Sequence, residues 1–485
     1  MSGRYDLVVI GGGTAGLVSS VIAAGTGARV ALVERERTGG DCLWTGCVPS
    51  KTLIASARLA HRMRHADRFG LRASEPDIDF AAVMDRVHET IAEIEPHDSP
   101  ERPRSEGVEV IAGDASFRDA RTVEVAGRSL RFRSAIIATG SEPAVPPVEG
   151  LAAALAAGHA STTETIWNLR ELPRRLAVLG GGPIGCELGQ AFARLGSRVT
   201  IVELGERLLP AEEPEAGLLI AERLRAEGVE VRLGAGATAV GTRGGQCMLE
   251  LSGPSRPGRD IEFDHLLVAT GRRPRSTGIG LAGIGVEIDQ RGAVAVDRRL
   301  RTSVRGIYGA GDVTAELPFT HVAAHHARIA TVNALFGARR EVSAVIPRVT
   351  FTDPEVASVG IGLAGARERW SDRASTARSD YADLDRAITE GEAQGFAMLI
   401  GDPKGRLVGA TIAAPGAGEA IAELTAWASQ GAKIDAVSST VHAYPTLAEG
   451  PSRAADEYLR ARYAKPGYRA LGKLALRVRR LLPRG

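Results

Sequence analysis

The chain has 485 residues, 44% of them hydrophobic, and a formal net charge of +2, which predicts two to four globular domains that each bury a core. Its four cysteines are too few for a disulfide-stapled secreted scaffold, so they favour the reducing cytoplasm, where a bridge is reactive rather than structural. No stretch approaches about 18 uninterrupted apolar residues and no basic stripe carries interleaved aromatic residues, which argues against a membrane span and against a nucleic acid partner.

An apolar, β-branched segment that runs into glycines opens the chain. The sequence "DLVVIGGGTAGLVSS" predicts a strand, a Gly-x-Gly-x-x-Gly turn and a helix, and "RVALVE" ends at Glu34 about twenty residues later. Gly11, Gly13 and Gly16 let the backbone approach a pyrophosphate at the helix N-terminus, and the carboxylate can bind a ribose hydroxyl pair. A signal peptide is a poorer interpretation because only one basic residue precedes the run and glycines interrupt it.

Two cysteines lie five positions apart in "TGGDCLWTGCVPSK", residues 38 to 51. Pro49 suits the first turn of a helix through "SKTLIASARLAHRM", which places Cys47 near a helix N-terminus, where the dipole lowers a thiol pKa. The spacing of Cys42 and Cys47 alone is equally typical of a metal-ligand fragment or of two buried thiols. Beside a flavin, the pair can accept two electrons as a disulfide and pass them on as a dithiol. The other two cysteines, Cys186 and Cys247, are interpreted as core residues.

The same pattern occurs a second time. The segment "RLAVLGGGPIGCELG" carries Gly180, Gly182 and Gly185, and "RVTIVE" ends at Glu203. Glycine-rich turns of some other α/β sheet are the alternative, but two complete patterns favour two dinucleotide sites. A carboxylate at this place repels a 2′-phosphate and so favours NADH, although Arg207 nearby leaves NADPH open.

Further duplicated turns follow the two patterns. The segments "AIIATGSEP" (135–143) and "LLVATGRRP" (266–274) are apolar strands that enter the same Ala-Thr-Gly turn, and each is expected to close a nucleotide domain. The segment "GIYGAGDV" (306–313) brings Asp312 to the end of a strand. This carboxylate suits the polyol linker of a flavin cofactor, and a helix N-cap is the other interpretation.

The segment "LPFTHVAAHHARIATVNALFG", residues 317–337, predicts a helix. Its N-terminus offers the backbone of Phe319 and Thr320 as donors to the pyrimidine edge of a flavin, where the dipole stabilises negative charge. His321, His325 and His326 are interpreted as helix residues, since no compact set of carboxylates or cysteines accompanies them. No metal site is predicted.

In this order, the motifs resemble the flavin-dependent pyridine nucleotide-disulfide oxidoreductases, a family that includes glutathione reductase, dihydrolipoyl dehydrogenase and mercuric reductase; the resemblance covers about residues 4–460. It implies an α/β fold with two Rossmann-like domains, one for FAD and one for NADH or NADPH, and a C-terminal α+β dimerisation domain. It also implies a homodimer with an active site shared across the interface. The expected domains are FAD-binding 1–150 and 273–346, NAD(P)-binding 151–272, interface 347–464 and a basic amphipathic tail 465–485.

The resemblance also assigns roles to individual residues. Cys42 is the interchange thiol that meets the acceptor, Cys47 is the thiol that contacts the flavin, and Lys51 pairs with Glu187 near the flavin. The FAD site is expected at Gly11, Gly13, Gly16, Glu34, Gly40, Thr139, Gly140, Asp312, Phe319 and Thr320. The NAD(P) site is expected at Gly180, Gly182, Gly185, Glu203 and Gly271.

The main departure from the family lies in "HAYPTLAEG", residues 442–450. Disulfide-reducing relatives carry His-Pro-Thr-x-x-Glu there, and the histidine protonates the departing thiolate. This chain has Tyr444 before Pro445, with Glu449 still in register and His442 as a possible substitute. A tyrosine at this position is similar to mercuric reductase, although the sequence shows neither that enzyme's N-terminal metal-carrying domain nor its C-terminal cysteine pair.

The segment "KPGYRALGKLALRVRRLLPRG", residues 465–485, has apolar and basic residues at helical spacing. The apolar set is Leu471, Leu474, Val478, Leu481 and Leu482, and the basic set is Lys473, Arg477, Arg480 and Arg484. The pattern predicts a basic amphipathic helix with weak contact to a membrane surface. The same pattern is at least as typical of a helix packed on its own dimer or of a solvated tail.

The sequence therefore predicts a homodimeric, cytoplasmic, mercuric-reductase-like flavoenzyme that passes two electrons from NAD(P)H to a metal ion, a quinone or another electrophile. A dihydrolipoyl dehydrogenase or another disulfide reductase, with His442 as acid and base, is the alternative enzyme. A non-enzymatic flavin and thiol redox sensor is the alternative of a different class.

Overall fold

The computed structural model describes residues 4–252 and 260–481. The predicted Leu482 and Arg484 of the tail lie outside these residues. In chain order the α-helices are α1 (Thr14–Gly25), α2 (Gly40–Trp44), α3 (Cys47–Arg64), α4 (Phe80–Asp98), α5 (Glu101–Ser105), α6 (Leu151–Ala156), α7 (Pro183–Arg194), α8 (Pro214–Ala226), α9 (Thr320–Phe336), α10 (Leu363–Trp370), α11 (Asp385–Thr389), α12 (Ala417–Ser429), α13 (Ile434–Ser439), α14 (Glu449–Ala464) and α15 (Pro466–Leu481).

The strands are β1 (Tyr5–Ile10), β2 (Val30–Glu34), β3 (Glu109–Ala112), β4 (Ser116–Asp119), β5 (Thr122–Val125), β6 (Arg128–Ile137), β7 (Ser141–Pro143), β8 (Ala160–Ser161), β9 (Arg175–Leu179), β10 (Arg198–Glu203), β11 (Glu230–Leu233), β12 (Gly236–Arg243), β13 (Gln246–Ser252), β14 (Ile261–Phe263), β15 (His265–Val268), β16 (Arg272–Pro274), β17 (Ile307–Gly309), β18 (Pro347–Thr350), β19 (Glu355–Gly360), β20 (Ser375–Asp380), β21 (Phe396–Gly401) and β22 (Leu407–Ala414). The chain forms two compact units. One contains the segments up to Glu206 and from Glu227 to Val342, and the other contains Arg207–Ala226 and the chain from Ser343 onward.

The first sheet of the first unit has the order β3-β2-β1-β6-β5-β4, with β17 paired to β6. Strands β3, β2, β1, β6 and β17 are parallel neighbours, and β4, β5 and β6 form an antiparallel meander. Val8 and Val9 point to opposite faces and both are fully buried, as expected for a parallel strand covered on both sides. Ala15 of α1 and Ala323 of α9 belong to the core on one face, and Phe117 of β4 belongs to the core on the other.

The second sheet of this unit has the order β11-β10-β9-β15-β8 and is parallel throughout. It repeats the local geometry of the first sheet. Gly11 N–H donates to Val33 O and Gly180 N–H donates to Val202 O, both at 2.8 Å, so each glycine-rich turn continues the bonding of its central strand to the next strand. Strands β12, β13 and β14 form a separate antiparallel sheet, whose half-buried Cys247 packs on a core cluster.

The second unit is built on an antiparallel sheet of order β18-β19-β22-β21-β20. Its core combines Ala357 and Ile412 of the sheet with Leu424 of α12 and Ala454 of α14. The predicted α/β fold, with parallel nucleotide-binding sheets and a C-terminal α+β part, is confirmed. Among the described residues, no helix is both long enough and apolar enough to cross a lipid bilayer.

Candidate active site

The two cysteines of the opening motif lie on consecutive helices. Cys42 belongs to the short helix α2 and is half-buried, and Cys47 is the first residue of α3 and is exposed. The turn between them requires glycine, because a Cβ on Gly46 would lie 2.9 Å from the carbonyl oxygen of Asp41. Both cysteines are free thiols in the structure.

The two thiols have opposite pKa shifts. The hydrogen bond from Cys42 lowers the pKa of Cys47 to about 6, with smaller contributions from the Thr320 hydroxyl and the Lys51 charge, against the opposing effect of desolvation by the surrounding protein atoms. The same hydrogen bond raises the pKa of Cys42, and burial adds to the rise. Thr320 Oγ1 lies 3.5 Å from Cys47 Sγ. At neutral pH Cys47 therefore holds the thiolate and Cys42 holds the proton.

The pairing of Lys51 with Glu187 is present. Lys51 Nζ lies 2.8 Å from Glu187 Oε2, and the carboxylate side chain is only 7% exposed. Lys51 also donates to Ser50 Oγ at 3.3 Å. The pair joins α3, which carries Cys47, to α7, which begins within the second glycine pattern. Since a buried carboxylate needs a partner, this ion pair holds the ammonium beside the dithiol.

The first glycine-rich turn has the shape that a dinucleotide requires. A Cβ on Gly11, whose φ is +104°, would lie 2.3 Å from Ala138 O, and a Cβ on Gly16 would lie 1.8 Å from Gly11 O. Gly40 has φ +58°, and its Cβ would lie 2.7 Å from the Cα of Gly13. Only glycine fits these positions, because the turn packs backbone against backbone while α1 presents its N-terminus.

The second turn repeats this geometry. A Cβ on Gly180 would lie 2.4 Å from Ala269 O, and a Cβ on Gly185 would lie 1.9 Å from Gly180 O. At Gly182, in contrast, no atom of the described residues lies within 4 Å of the Cβ position, apart from the glycine itself and its neighbours in the chain. That open position at the N-terminus of α7 leaves room for a pyrophosphate to approach the backbone. The residues present therefore fit two dinucleotides.

The acids at the ends of β2 and β10 also match each other. Glu34 accepts from the N–H of Gly12 at 2.5 Å, and Glu203 accepts from the N–H of Gly181 at 2.6 Å. The second oxygen of each carboxylate accepts from the N–H two residues farther on, at 2.8 Å and 2.7 Å. Each carboxylate is thus fixed at the rim of its turn, where a ribose would lie. Arg207 donates to the carbonyl of Pro210 at 2.7 Å.

The placement of Glu203 leads to an expected nucleotide preference. NADH should have the higher kcat/KM, by about 5- to 150-fold, because a 2′-phosphate beside a fixed carboxylate loses roughly 1 to 3 kcal/mol. Steady-state kinetics with both nucleotides measures this ratio. Glu203→Gln, which keeps the side chain's size and removes its charge, should bring the ratio of kcat/KM for NADH to that for NADPH closer to one. A wild-type preference for NADPH would contradict the assignment.

The two Ala-Thr-Gly turns meet in space. Strands β7 and β16, which follow the turns, pair as a two-stranded antiparallel sheet. Thr139 Oγ1 donates to Arg275 O at 2.5 Å, and Arg275 N–H donates to Gly140 O at 2.9 Å. Gly271, with φ +112°, accepts from Ala144 N–H at 2.9 Å. The ends of the two nucleotide-binding sheets are therefore joined by backbone hydrogen bonds.

Asp312 lies at one end of a chain of polar side chains. It belongs to a 3₁₀ turn after β17 rather than to the N-cap of α9, which is Phe319. Burial raises the pKa of Asp312, and a 2.7 Å hydrogen bond from Ser141 Oγ opposes the rise. Arg272 Nε donates to the same hydroxyl at 2.8 Å, and its Nη2 lies 3.3 Å from Asp41 Oδ1. This chain connects Asp312 to the helix of Cys42.

Helix α9 begins at Thr320, with no side-chain cap at Phe319. Phe319 N–H donates to Leu317 O at 2.8 Å, so Thr320 is the better placed of the two predicted backbone donors. His326 is buried, which lowers its pKa to about 4, and it accepts from Gly311 N–H at 3.4 Å. Within residues 4–252 and 260–481, no group of three or more His, Cys, Asp or Glu side chains is arranged to hold a metal ion.

The three candidate residues near the C-terminus belong to the second unit. His442 lies with Nε2 2.9 Å from Glu423 Oε2 and Nδ1 2.9 Å from Thr440 O. Glu449 is the first residue of α14 and accepts from Thr446 N–H at 3.2 Å. The structure thus pairs His442 with Glu423 rather than with Glu449.

Tyr444 has a different environment. The residue is 68% exposed, and its hydroxyl donates to Asp385 Oδ2 at 2.5 Å. This hydrogen bond and the negative charge of Asp385 raise the pKa of Tyr444.

Several of these contacts have no signal in the sequence. The sequence pattern indicated only the backbone of Thr320 as a donor, whereas its hydroxyl contacts the thiol. Arg272, Asp385 and Glu423 were not predicted as partners in these contacts. Arg272 follows directly after the second Ala-Thr-Gly turn, and that position was the one available clue to its role.

Two family models match the chain. The model described as pyridine nucleotide-disulphide oxidoreductase matches residues 5–327, and the model of its dimerisation domain matches residues 346–455. Among curated proteins, the mercuric reductase of Streptomyces lividans is 37% identical over 462 residues, covering 94% of this chain and 96% of that protein. The dihydrolipoyl dehydrogenase of Chlamydia muridarum (strain MoPn / Nigg) is 33% identical over 454 residues, covering 93% and 96%.

Solved structures are similar over nearly the whole chain. The Cu(II) complex of a cysteine-to-serine mutant of the HOCl-induced flavoprotein disulfide reductase RclA from Escherichia coli has a TM-score of 0.83 and 27% identity. LpdA from Mycobacterium tuberculosis has a TM-score of 0.82 and 28% identity. Each comparison covers 93% of this chain and 99% of the other.

Proposed function

Because the chain belongs to the pyridine nucleotide-disulphide oxidoreductase family, we propose that it transfers two electrons from NAD(P)H through Cys42 and Cys47 to a thiol-ligated metal ion, a quinone or another electrophile, rather than to a small disulfide. The family and the relatives named above are FAD-dependent enzymes that use NAD(P)H. The dimerisation domain supports a homodimer. We further propose that the second unit completes the active site of the partner subunit, and that the enzyme acts in the cytoplasm.

FAD, when bound, accepts a hydride from NAD(P)H and can reduce a neighbouring disulfide. The chain's own residues set which thiol is protonated before the dithiol passes its electrons to the acceptor. Cys47 holds the thiolate, Cys42 holds the proton, and the Lys51 ammonium adds positive charge beside Cys47. Thr320 supports the thiolate through its hydroxyl. This arrangement gives one thiol that keeps negative charge and a second that can meet the acceptor.

The observation that carries the proposal is Tyr444. Reducing a small disulfide expels a thiolate that must be protonated, and efficient acid and base catalysis needs a group whose pKa lies near the working pH. Tyr444 stands where disulfide-reducing relatives have histidine, and the hydrogen bond to Asp385 raises its pKa further above its ordinary value. A tyrosine of raised pKa keeps its proton at neutral pH, so it is a weak acid toward a departing thiolate and has no basic form there to accept a proton. A metal ion bound by two sulfurs needs no such group.

Metal ions suit the dithiol on chemical grounds. Thiolates are soft ligands that bind soft metal ions in preference to hard ones. For a divalent ion that takes two electrons the balance closes, since NAD(P)H and M²⁺ give NAD(P)⁺, M⁰ and one proton. One relative is named mercuric reductase, and one structural neighbour is described as a Cu(II) complex. Those names belong to those proteins and support the proposal for this chain.

Dihydrolipoyl dehydrogenase is the second candidate, because a relative of that name is 33% identical. It requires a histidine to carry the proton in place of Tyr444. His442 is the candidate for that role, but both of its ring nitrogens face acceptor oxygens, of Glu423 and of Thr440. Its contacts therefore favour a structural role.

A panel of acceptors assayed with the purified, FAD-loaded enzyme tests the proposal. We expect NADH oxidation with mercuric ion presented as its bis-glutathione complex, or with a soluble quinone, to exceed that with lipoamide or glutathione disulfide by about 10²-fold or more, the lower range of acid-base effects. Lipoamide turnover equal to or above that with the metal complex and the quinone would overturn the proposal.

A further inference from the structure

Helix α15 has an apolar side that the described part of the protein leaves exposed. Leu471, Leu474, Val478 and Leu481 are 62%, 58%, 51% and 84% exposed, and every other residue of the helix is exposed as well. With Ala470 and Ala475 they recur at the spacing that places residues on one helical face. An exposed stripe of this kind marks an interaction surface.

The rest of the helix carries charge of one sign. No acidic residue occurs in residues 465–485. The basic residues of the described part are Lys465, Arg469, Lys473, Arg477, Arg479 and Arg480. By helical spacing, Arg469, Lys473 and Arg480 lie opposite the apolar stripe, while Arg477 and Arg479 flank it on either side.

The beginning of the helix is held in place. Tyr468 Oη lies 3.1 Å from Arg462 Nε of α14, and the rings of Tyr463 and Tyr468 meet edge to face with centroids 5.9 Å apart. Arg462 in turn bonds Asp435 Oδ2 at 2.7 Å. These contacts anchor the first turn on α14 and leave the apolar stripe that follows it uncovered.

We propose that α15 lies flat on an anionic lipid surface, with its apolar stripe in the headgroup boundary and its arginines on lipid phosphates. The positive charge of α15 favours an anionic membrane over a second copy of the helix or a nucleic acid. A second copy of the helix would bring many like charges together as it covered the stripe. A nucleic acid would match the charge but leave the leucines in water. An anionic membrane matches both sides, and the flanking arginines can reach phosphates while their stems stay on the apolar boundary.

Flotation of the FAD-loaded, full-length protein with vesicles tests the proposal. We expect binding to phosphatidylglycerol/phosphatidylcholine vesicles at low salt, release as salt screens the arginines, and at least about 10-fold weaker binding to phosphatidylcholine alone. Arg477→Gln with Arg479→Gln should weaken binding by roughly 10- to 30-fold, and Leu474→Asn with Val478→Asn should abolish it. Leu476→Asn is the matched control, because it lies outside the stripe and should bind as wild type.

Removal of residues 466–485 provides the second test. The shortened protein should lose vesicle binding and keep its activity in solution. Unchanged binding after this removal, equal binding to both kinds of vesicle, or no binding by the wild type would each overturn the proposal. Sedimentation velocity tests whether a second copy of the protein covers the apolar stripe. If the shortened protein forms smaller assemblies than the wild type, the stripe is covered by a second copy and the proposal is wrong.

Discussion

Replacing either Cys42 or Cys47 by serine is expected to lower turnover of the thiol-ligated metal ion by roughly 10³-fold or more, because a serine hydroxyl neither forms the disulfide nor holds a thiolate. The measurement is NADH oxidation with the mercuric bis-glutathione complex. Cys247→Ser is the matched control, since Cys247 is half-buried in β13 and packs on a core cluster. It should leave turnover within a few-fold of wild type.

Ferricyanide, a soluble one-electron oxidant that needs no thiol, shows whether the cysteine variants are otherwise intact. Both variants should still oxidise NADH with it. If both variants also kept their turnover of the metal complex, the acceptor would take its electrons without the dithiol, and the proposed path would be wrong.

Turnover of the thiol-ligated metal ion should depend on pH, and the pKa of Cys47 sets the direction of that dependence. The lowered pKa of Cys47, about 6, means that its thiolate is present above that value and is lost as the pH falls through it. Turnover should therefore decline on the acid side near pH 6 rather than near the ordinary thiol pKa of about 8.5. Thr320→Val, which keeps the shape and removes the hydroxyl, should move the decline to higher pH.

Replacing Tyr444 by histidine is expected to raise the reduction of lipoamide and glutathione disulfide by about 10²-fold, the lower range of acid-base effects. An imidazole ordinarily titrates near neutral pH and can both give and recover the proton that a tyrosine of raised pKa holds. The wild type and Tyr444→His are compared by kcat/KM for each disulfide. Tyr444→Phe, which cannot donate, is the matched control and should give no increase.

The variant His442→Ala distinguishes the proposed acceptor class from the alternative function, a dihydrolipoyl dehydrogenase with His442 as proton carrier. Since His442 is bonded to Glu423 and to a backbone oxygen, its loss should change disulfide reduction only slightly. Lipoamide turnover in the range of a competent dehydrogenase that collapses in His442→Ala would identify His442 as the proton carrier and reject the proposed acceptor class.

The features that could be predicted from the sequence depend on neighbouring residues. The two glycine patterns, a helix N-terminus near Cys47 and the helical tail all follow from local spacing, propensity and charge, which act over a few residues. The predicted helix at 317–337 is three residues longer at its start than α9, which begins at Thr320. Pro318 removes a backbone donor there, and sequence patterns locate element ends less well than element types.

The features that could not be predicted depend on residues far apart in the chain. Thr320 is 273 positions from Cys47, and the polar chain through Arg272 joins four separate segments. Only the completed fold brings such groups within hydrogen-bonding distance. The family resemblance supplied Lys51 and Glu187, which the spacing of the sequence alone would not have paired. The same limit explains why Glu423 and Asp385 were missed as partners of His442 and Tyr444.

Protein engineers who wish to exchange the nucleotide preference of this enzyme face a coupled problem at Glu203. Its two oxygens accept from the amides of Gly181 and Gly205, so the residue that would reject a 2′-phosphate also braces the turn that would carry the pyrophosphate. Replacing it with a small or basic residue would leave two amides without that acceptor and loosen the turn, so affinity for either nucleotide would fall. A successful redesign has to supply a new acceptor for those amides and a cation for the phosphate in the same round of mutagenesis.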